Sequence, residues 1–98
     1  MTDRAPLSTD TIQSALSDLP GWRYEDNRIV KTFQLSSFRE AVSFIVRLSF
    51  EAESLNHHPE LTNVYNRVDV AITTHDAGNS VTESDLALAR AIENFSWT

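Results

Sequence analysis

The stretch "LTNVYNRVDVAITTH", from Leu61 to His75, decides the fold. Val68, Val70 and Ile72 fall on one side of an extended chain, and Asp69, Ala71 and Thr73 on the other. That period of two marks a strand with one face in a core. The run breaks near Asn66-Arg67, so the spacing predicts two short strands joined by a turn there. A second hairpin signal lies upstream, where "WRYEDNRIVKTFQL" alternates around a turn at Asp26-Asn27. Asparagine tolerates the positive φ that a tight hairpin needs, although the glycine that usually follows it is missing.

Helical spacing surrounds the hairpins. From Ser37 to about Asn56, Phe38, Ala41, Val42, Ile45, Leu48, Ala52 and Leu55 recur at helical intervals, with Ser36 or Ser37 at the start and no Gly or Pro inside. Phe44, Val46 and Phe50 widen the apolar surface beyond one stripe, which predicts an exposed flank that meets another subunit. "LSTDTIQSALSDLPGW" predicts a short first helix capped by Ser8 or Thr9, with Ile12, Ala15 and Leu16 inward and Pro20-Gly21 as the stop. After the loop "DAGNS", "VTESDLALARAIENFSW" predicts a closing helix. There Thr82 is the N-cap, Asp85 holds the capping-box position, and Leu86, Ala89, Ile92 and Phe95 or Ala91 form the buried stripe. Hairpins pair antiparallel and lack the crossovers that put helices on both faces of a sheet. The expectation is one α+β domain over residues 1–98 in the order α-β-β-α-β-β-α. Its antiparallel sheet has about four strands, and the helices pack on one face.

Ninety-eight residues, 41% of them hydrophobic, suffice for a single core. Cysteine is absent, which excludes a disulfide framework and any thiolate metal site. Fourteen acids against eight bases give a formal charge of -6, which repels phosphate backbones and anionic lipid, so direct nucleic-acid or membrane binding is not expected. No apolar run approaches the roughly 20 residues that cross a bilayer, and "MTDRAPLSTD" lacks the character of a secretion signal, so a cytoplasmic location is expected.

All three histidines, His57, His58 and His75, fall in one short part of the chain. Adjacent histidines aim in different directions, unlike the i, i+4 pairs of helical zinc motifs, and no acid sits at a complementary spacing; no metal is expected. Each histidine has a plain structural explanation when taken singly. His57 could interact with the end of a helix, His58 is held extended by Pro59, and His75 could be a half-buried strand end. Together, however, helix end and strand end can share a cleft at one edge of the sheet. An unperturbed imidazole titrates near pH 6.5, so several in one cleft can supply an acid and a base at once. With no cysteine and no Ser-His-Asp arrangement, acid–base chemistry without a covalent intermediate fits better than acyl transfer. The residues support proton transfer and do not identify the substrate.

The segment "ESLNHHPELTNVYNRVDVAITTHDAGNSVTESD" resembles the signature of the pterin-4a-carbinolamine dehydratases. That signature is an acid, three residues, His-His-Pro, an aromatic, a later histidine and an aspartate; here these are Glu53, His57, His58, Pro59, Tyr65, His75 and Asp85. Gly21-Trp22, the long helix and the closing "LA" helix also fall where the family has them, so the resemblance covers nearly the whole chain. It implies an α+β fold and loss of water from 4a-hydroxytetrahydropterin to give quinonoid dihydropterin, which recycles the pterin of aromatic amino acid hydroxylases. It requires no metal or organic cofactor.

By the same resemblance, His57 and His75 are the acid–base pair at the 4a-hydroxyl and N5, and His58 holds and polarises the ring. Asp85 orients a histidine or the ring amide, Glu53 supports the site from behind, and Pro59 fixes the turn. Thr73 and Thr74 bond the ring through hydroxyl or backbone, or stand there by strand propensity alone, and Trp22 walls the cleft or belongs to the core. Leu61 departs from the aromatic that many relatives carry after "HHPE". The apolar flank of the long helix gives the expectation of a homo-oligomer, dimer or tetramer. The resemblance carries a rival function as a non-enzymatic binding module, since animal members are dimerisation cofactors of a homeodomain transcription factor and relatives lacking the full histidine set assist enzyme assembly.

Overall fold

The computed structural model describes residues 5–95. α1 (Thr9–Leu16), β1 (Arg23–Glu25), β2 (Arg28–Gln34), α2 (Phe38–Leu55), β3 (Glu60–Val64), β4 (Arg67–Ile72) and α3 (Glu83–Phe95) follow one another in the expected order. Ser96 and Trp97, which the sequence pattern adds to the last helix, lie outside the described residues. The sheet is antiparallel throughout and runs β1-β2-β4-β3, so each hairpin supplies one central and one edge strand. Across the centre, Ile29 pairs with Ile72, Lys31 with Val70 and Phe33 with Val68. All of these except Lys31 are buried, and they join the buried residues of the three helices in one core. A one-residue slip would move the whole set to the other face.

The first turn is as the sequence predicts: Asp26 and Asn27 both have positive φ, 51° and 63°. The second is displaced by one residue. Val64 pairs with Arg67, so the two-residue loop is Tyr65-Asn66 rather than Asn66-Arg67. Its position is fixed by a reciprocal pair of bonds in which the Leu35 amide donates to the Asn66 carbonyl at 2.7 Å and Asn66 Nδ2 donates to the Leu35 carbonyl at 2.9 Å.

α2 is capped by Ser37, whose hydroxyl accepts from the Glu40 amide at 3.1 Å. Its buried face is rotated from the predicted stripe. Phe44, assigned to the exposed flank, is only 1% exposed, whereas Phe38 and Val42, assigned to the core, are exposed. The reason is aromatic packing: Phe44 lies 4.7 Å from Phe33 and 5.5 Å from Phe95 between ring centroids, and Phe33 meets Trp22 edge-on at 6.1 Å. A helix apolar on most sides is oriented by what it packs against. Phe38, Val42, Val46 and Phe50 are left exposed at four-residue intervals along the opposite face. The uncovered side of the sheet carries polar and charged side chains, including an Arg28–Glu60 pair at 2.8 Å and a Thr32–Asp69 bond at 2.7 Å. No helix among the described residues is long and apolar enough to cross a membrane.

Candidate active site

The end of α2 delivers the first histidine. Asn56 takes the left-handed conformation (φ 51°, ψ 45°), its amide donates to the Glu53 carbonyl at 3.1 Å, and the His57 amide donates to the Ala52 carbonyl at 3.0 Å. These two bonds satisfy the last carbonyls of the helix and turn the chain sharply. Asparagine is the non-glycine residue that visits this conformation most readily. His57 therefore leaves the helix axis buried, and its Nε2 lies 2.6 Å from Asp85 Oδ1.

Asp85 is held by the start of α3. The Thr82 amide donates to Asp85 Oδ2 at 2.7 Å, the side-chain half of the predicted capping box, while the Thr82 hydroxyl accepts from the Ser84 amide at 3.2 Å. Thr74 Oγ1 lies 2.8 Å from Asp85 Oδ2 and 2.7 Å from Thr82 Oγ1. A carboxylate only accepts, so Thr74 spends its proton on Asp85 and Thr82 donates to Thr74. The chain saturates Oδ2 and leaves Oδ1 to His57, whose Nε2 carries the proton. The cap and the histidine partner are thus one carboxylate.

The other two rings also have acceptors. His58 Nε2 is 2.7 Å from Glu53 Oε1 in an exposed pair. His75 opens a 3-10 turn (His75–Ala77), and its Nδ1 is 2.7 Å from Asn79 Oδ1. Because Glu60 pairs with Ala71, the start of β3 and the end of β4 are neighbours, and this brings His57 and His58 alongside Thr73 and His75. Together with Asn56 and Asp76 they line an open cleft of about 210 Å³. That is below the roughly 300–1,000 Å³ usual for small-molecule sites, and the cleft is open to solvent.

The positions of the other predicted residues divide clearly. Thr73 borders the cleft, its hydroxyl donating to the Asn27 carbonyl at 2.9 Å. Thr74 does not line the cleft: its hydroxyl is fully buried between Asp85 and Thr82. Trp22 is likewise a core residue, packed on Phe33 with its indole N–H donating to Glu93 at 3.1 Å, and it does not line the cleft. Glu53 and Asp85 stand behind His58 and His57, and Pro59 is half-buried beside them. Tyr65 caps the far end of the hairpin and is exposed. Asn56, Thr82 and Asn79 enter the site through contacts that the motif does not name. The signals for the first two are an asparagine closing a helix and a cap residue opening one; for Asn79 the signal is a loop amide four residues after a histidine.

Two larger depressions lie elsewhere. One, of about 380 Å³, is on the uncovered sheet face, and one of about 500 Å³ lies between α1 and α3. Neither contains a histidine, and their charged residues include the pairs Arg28–Glu60 and Glu83–Arg90. Among the described residues, no three His, Asp or Glu side chains form a group that could hold a metal ion.

Fold and cleft define the class: an α+β protein whose helix end and strand end present three imidazoles, each with its own acceptor, to one opening. The chain belongs to the pterin 4 alpha carbinolamine dehydratase family, whose sequence profile matches residues 5–95. It is 54% identical over 91 residues to a relative from Opitutus terrae bearing the pterin-4-alpha-carbinolamine dehydratase name, covering 93% of this chain and 94% of that one. A relative of the same name from Chloroflexus aurantiacus is 47% identical over 87 residues, covering 89% and 92%. A crystal structure of a transcriptional coactivator/pterin dehydratase from Brucella melitensis superposes with a TM-score of 0.86 at 38% identity, covering 91% of this chain and 96% of that chain.

Proposed function

We propose that the protein is a single-domain hydro-lyase that removes water from a 4a-hydroxytetrahydropterin, giving the quinonoid dihydropterin and so returning a hydroxylase's pterin to use in the cytoplasm. The observation that carries this reading is the meeting of His57, His58 and His75 at one cleft, at the positions that match the family signature. Hydroxide leaves poorly, so an imidazolium donates a proton to the 4a oxygen as the C4a–O bond breaks. The N5 lone pair forms the C4a–N5 double bond, and a neutral imidazole takes the N5 proton. One water leaves, and the two proton transfers leave the protein's total proton count unchanged. His57 and His75 act at these two atoms, with Asp85 and Glu53 fixing His57 and His58 from behind. His58, Pro59 and Thr73 position the ring. The test is dehydration of synthetic 4a-hydroxytetrahydropterin by metal-free protein, followed by the appearance of quinonoid product. Turnover above the spontaneous rate supports the reading, and a rate equal to buffer refutes it.

A second reading is favoured by a separate observation. Phe38, Val42, Val46 and Phe50 form an exposed apolar stripe along α2, the kind of surface that self-association or a protein partner covers. This supports a homo-oligomer, dimer or tetramer, and it also suits a binding role like that named for the Brucella melitensis protein. Loss of turnover in histidine variants, with oligomer mass unchanged, separates the enzyme from the binding module.

A further inference from the structure

His57 and His58 both engage their carboxylates through Nε2, whereas His75 engages Asn79 through Nδ1. The difference is consequential because His75 is exposed and no buried packing fixes its ring. Its loop, by contrast, is well defined. The Thr74 carbonyl accepts from the amides of Ala77 at 3.2 Å, Asn79 at 3.1 Å and Ser80 at 3.4 Å. Gly78 and Asn79 are consecutive left-handed residues, with φ of 70° and 60°. The left-handed region disfavours most residues other than glycine, and asparagine bears it better than most because its short side chain bonds locally. Here that side chain turns its oxygen to the ring of His75 at 2.7 Å.

An amide oxygen accepts and does not donate, so the bonded Nδ1 carries the proton and the lone pair of the neutral ring sits on Nε2. We propose that Asn79 is a positioning residue that holds His75 in the Nδ1–H tautomer and in one ring orientation, so that Nε2 is the nitrogen exchanging protons with the ligand in the cleft. The proposal rests on the dehydratase reading for its catalytic part and on geometry alone for the tautomer. Partners of this kind, which orient a functional imidazole through its second nitrogen, recur at metal sites. Asn79 does the same for the imidazole of His75.

The experiment compares Asn79→Gly and Asn79→Asp with the parent, by steady-state dehydration and by long-range 1H–15N spectra of the histidine rings. Glycine accepts φ of +60° without strain, so it removes the acceptor and preserves the loop. Aspartate keeps an acceptor oxygen in place. The expected results are an Nδ1–H pattern for His75 in the parent and a mixture of tautomers in Asn79→Gly. Turnover in Asn79→Gly falls on the order of 10-fold with KM within about twofold, and Asn79→Asp recovers both spectrum and rate. An Nε2–H pattern in the parent, or unchanged turnover in Asn79→Gly, overturns the proposal. Should the parent show no dehydration, the dehydratase reading falls, and the parent spectrum alone then upholds or overturns the positioning of the ring.

Discussion

Replacing Asp85 with alanine should destabilise the protein far more than replacing Glu53 with alanine, although the two carboxylates hold histidines at nearly the same distance, 2.6 and 2.7 Å. Burial decides the difference. The His57–Asp85 pair has side-chain exposures of 5% and 0%, the His58–Glu53 pair 60% and 77%. Removing Asp85 takes away the acceptor that His57 Nε2, the Thr74 hydroxyl and the Thr82 amide share, and each buried donor left unmet costs about 1–3 kcal/mol. Thr74 and Thr82 keep each other at 2.7 Å, and His57 borders the open cleft, where water can replace part of what is lost. The net loss is about 3–5 kcal/mol, the range for breaking a buried pair on one side. For Glu53 it is about 0–1 kcal/mol, because solvent already screens the pair. At this chain length each kcal/mol lowers Tm by about 4–8 °C, so Asp85→Ala falls by at least about 12 °C. Circular dichroism melting of both variants beside the parent measures this directly. Equal losses in Tm would refute the claim that burial, rather than the contact itself, sets the energy.

His75→Ala should lower dehydration by about 100-fold or more while leaving Tm nearly unchanged, since the ring is exposed; a full-rate variant would remove His75 from the mechanism. Phe50→Asp should reduce the oligomer mass seen by light scattering and leave the fold intact, whereas Phe44→Asp should unfold the chain, because Phe50 is 68% exposed and Phe44 1%. Unchanged mass in Phe50→Asp would exclude the stripe as an interface. Asn56→Val should melt below Asn56→Gly, as a β-branched residue resists the left-handed conformation that closes α2; the reverse order would contradict the assigned helix end.

Much of this fold is written in local chemistry. The alternation of Val68, Val70 and Ile72, the Asp26-Asn27 turn, and the caps at Ser8, Ser37 and Thr82 all depend on residues within a few positions of one another, and the structure agrees with them. The missed features depend on distant partners. Phe44 and Phe38 have similar claims to the core when α2 is read alone, and only Phe33 and Phe95 decide between them. The Tyr65-Asn66 turn is set by Leu35 across the sheet. Thr74 follows a strand and is explained by propensity, and its role as a donor to Asp85 arises only when the start of α3 meets the segment after β4. Asn79 reads as loop until the left-handed pair with Gly78 brings its amide to His75.

Titration of the 15N-labelled protein with a stable reduced pterin tests the central claim most directly, read from the ring signals of the three histidines and the backbone amides. Convergence at one cleft predicts that His57, His58, His75 and Thr73 shift together along one saturating curve. Shifts confined to Arg23, Arg28 and Asp69 on the open sheet face, or to the groove between α1 and α3, would contradict it.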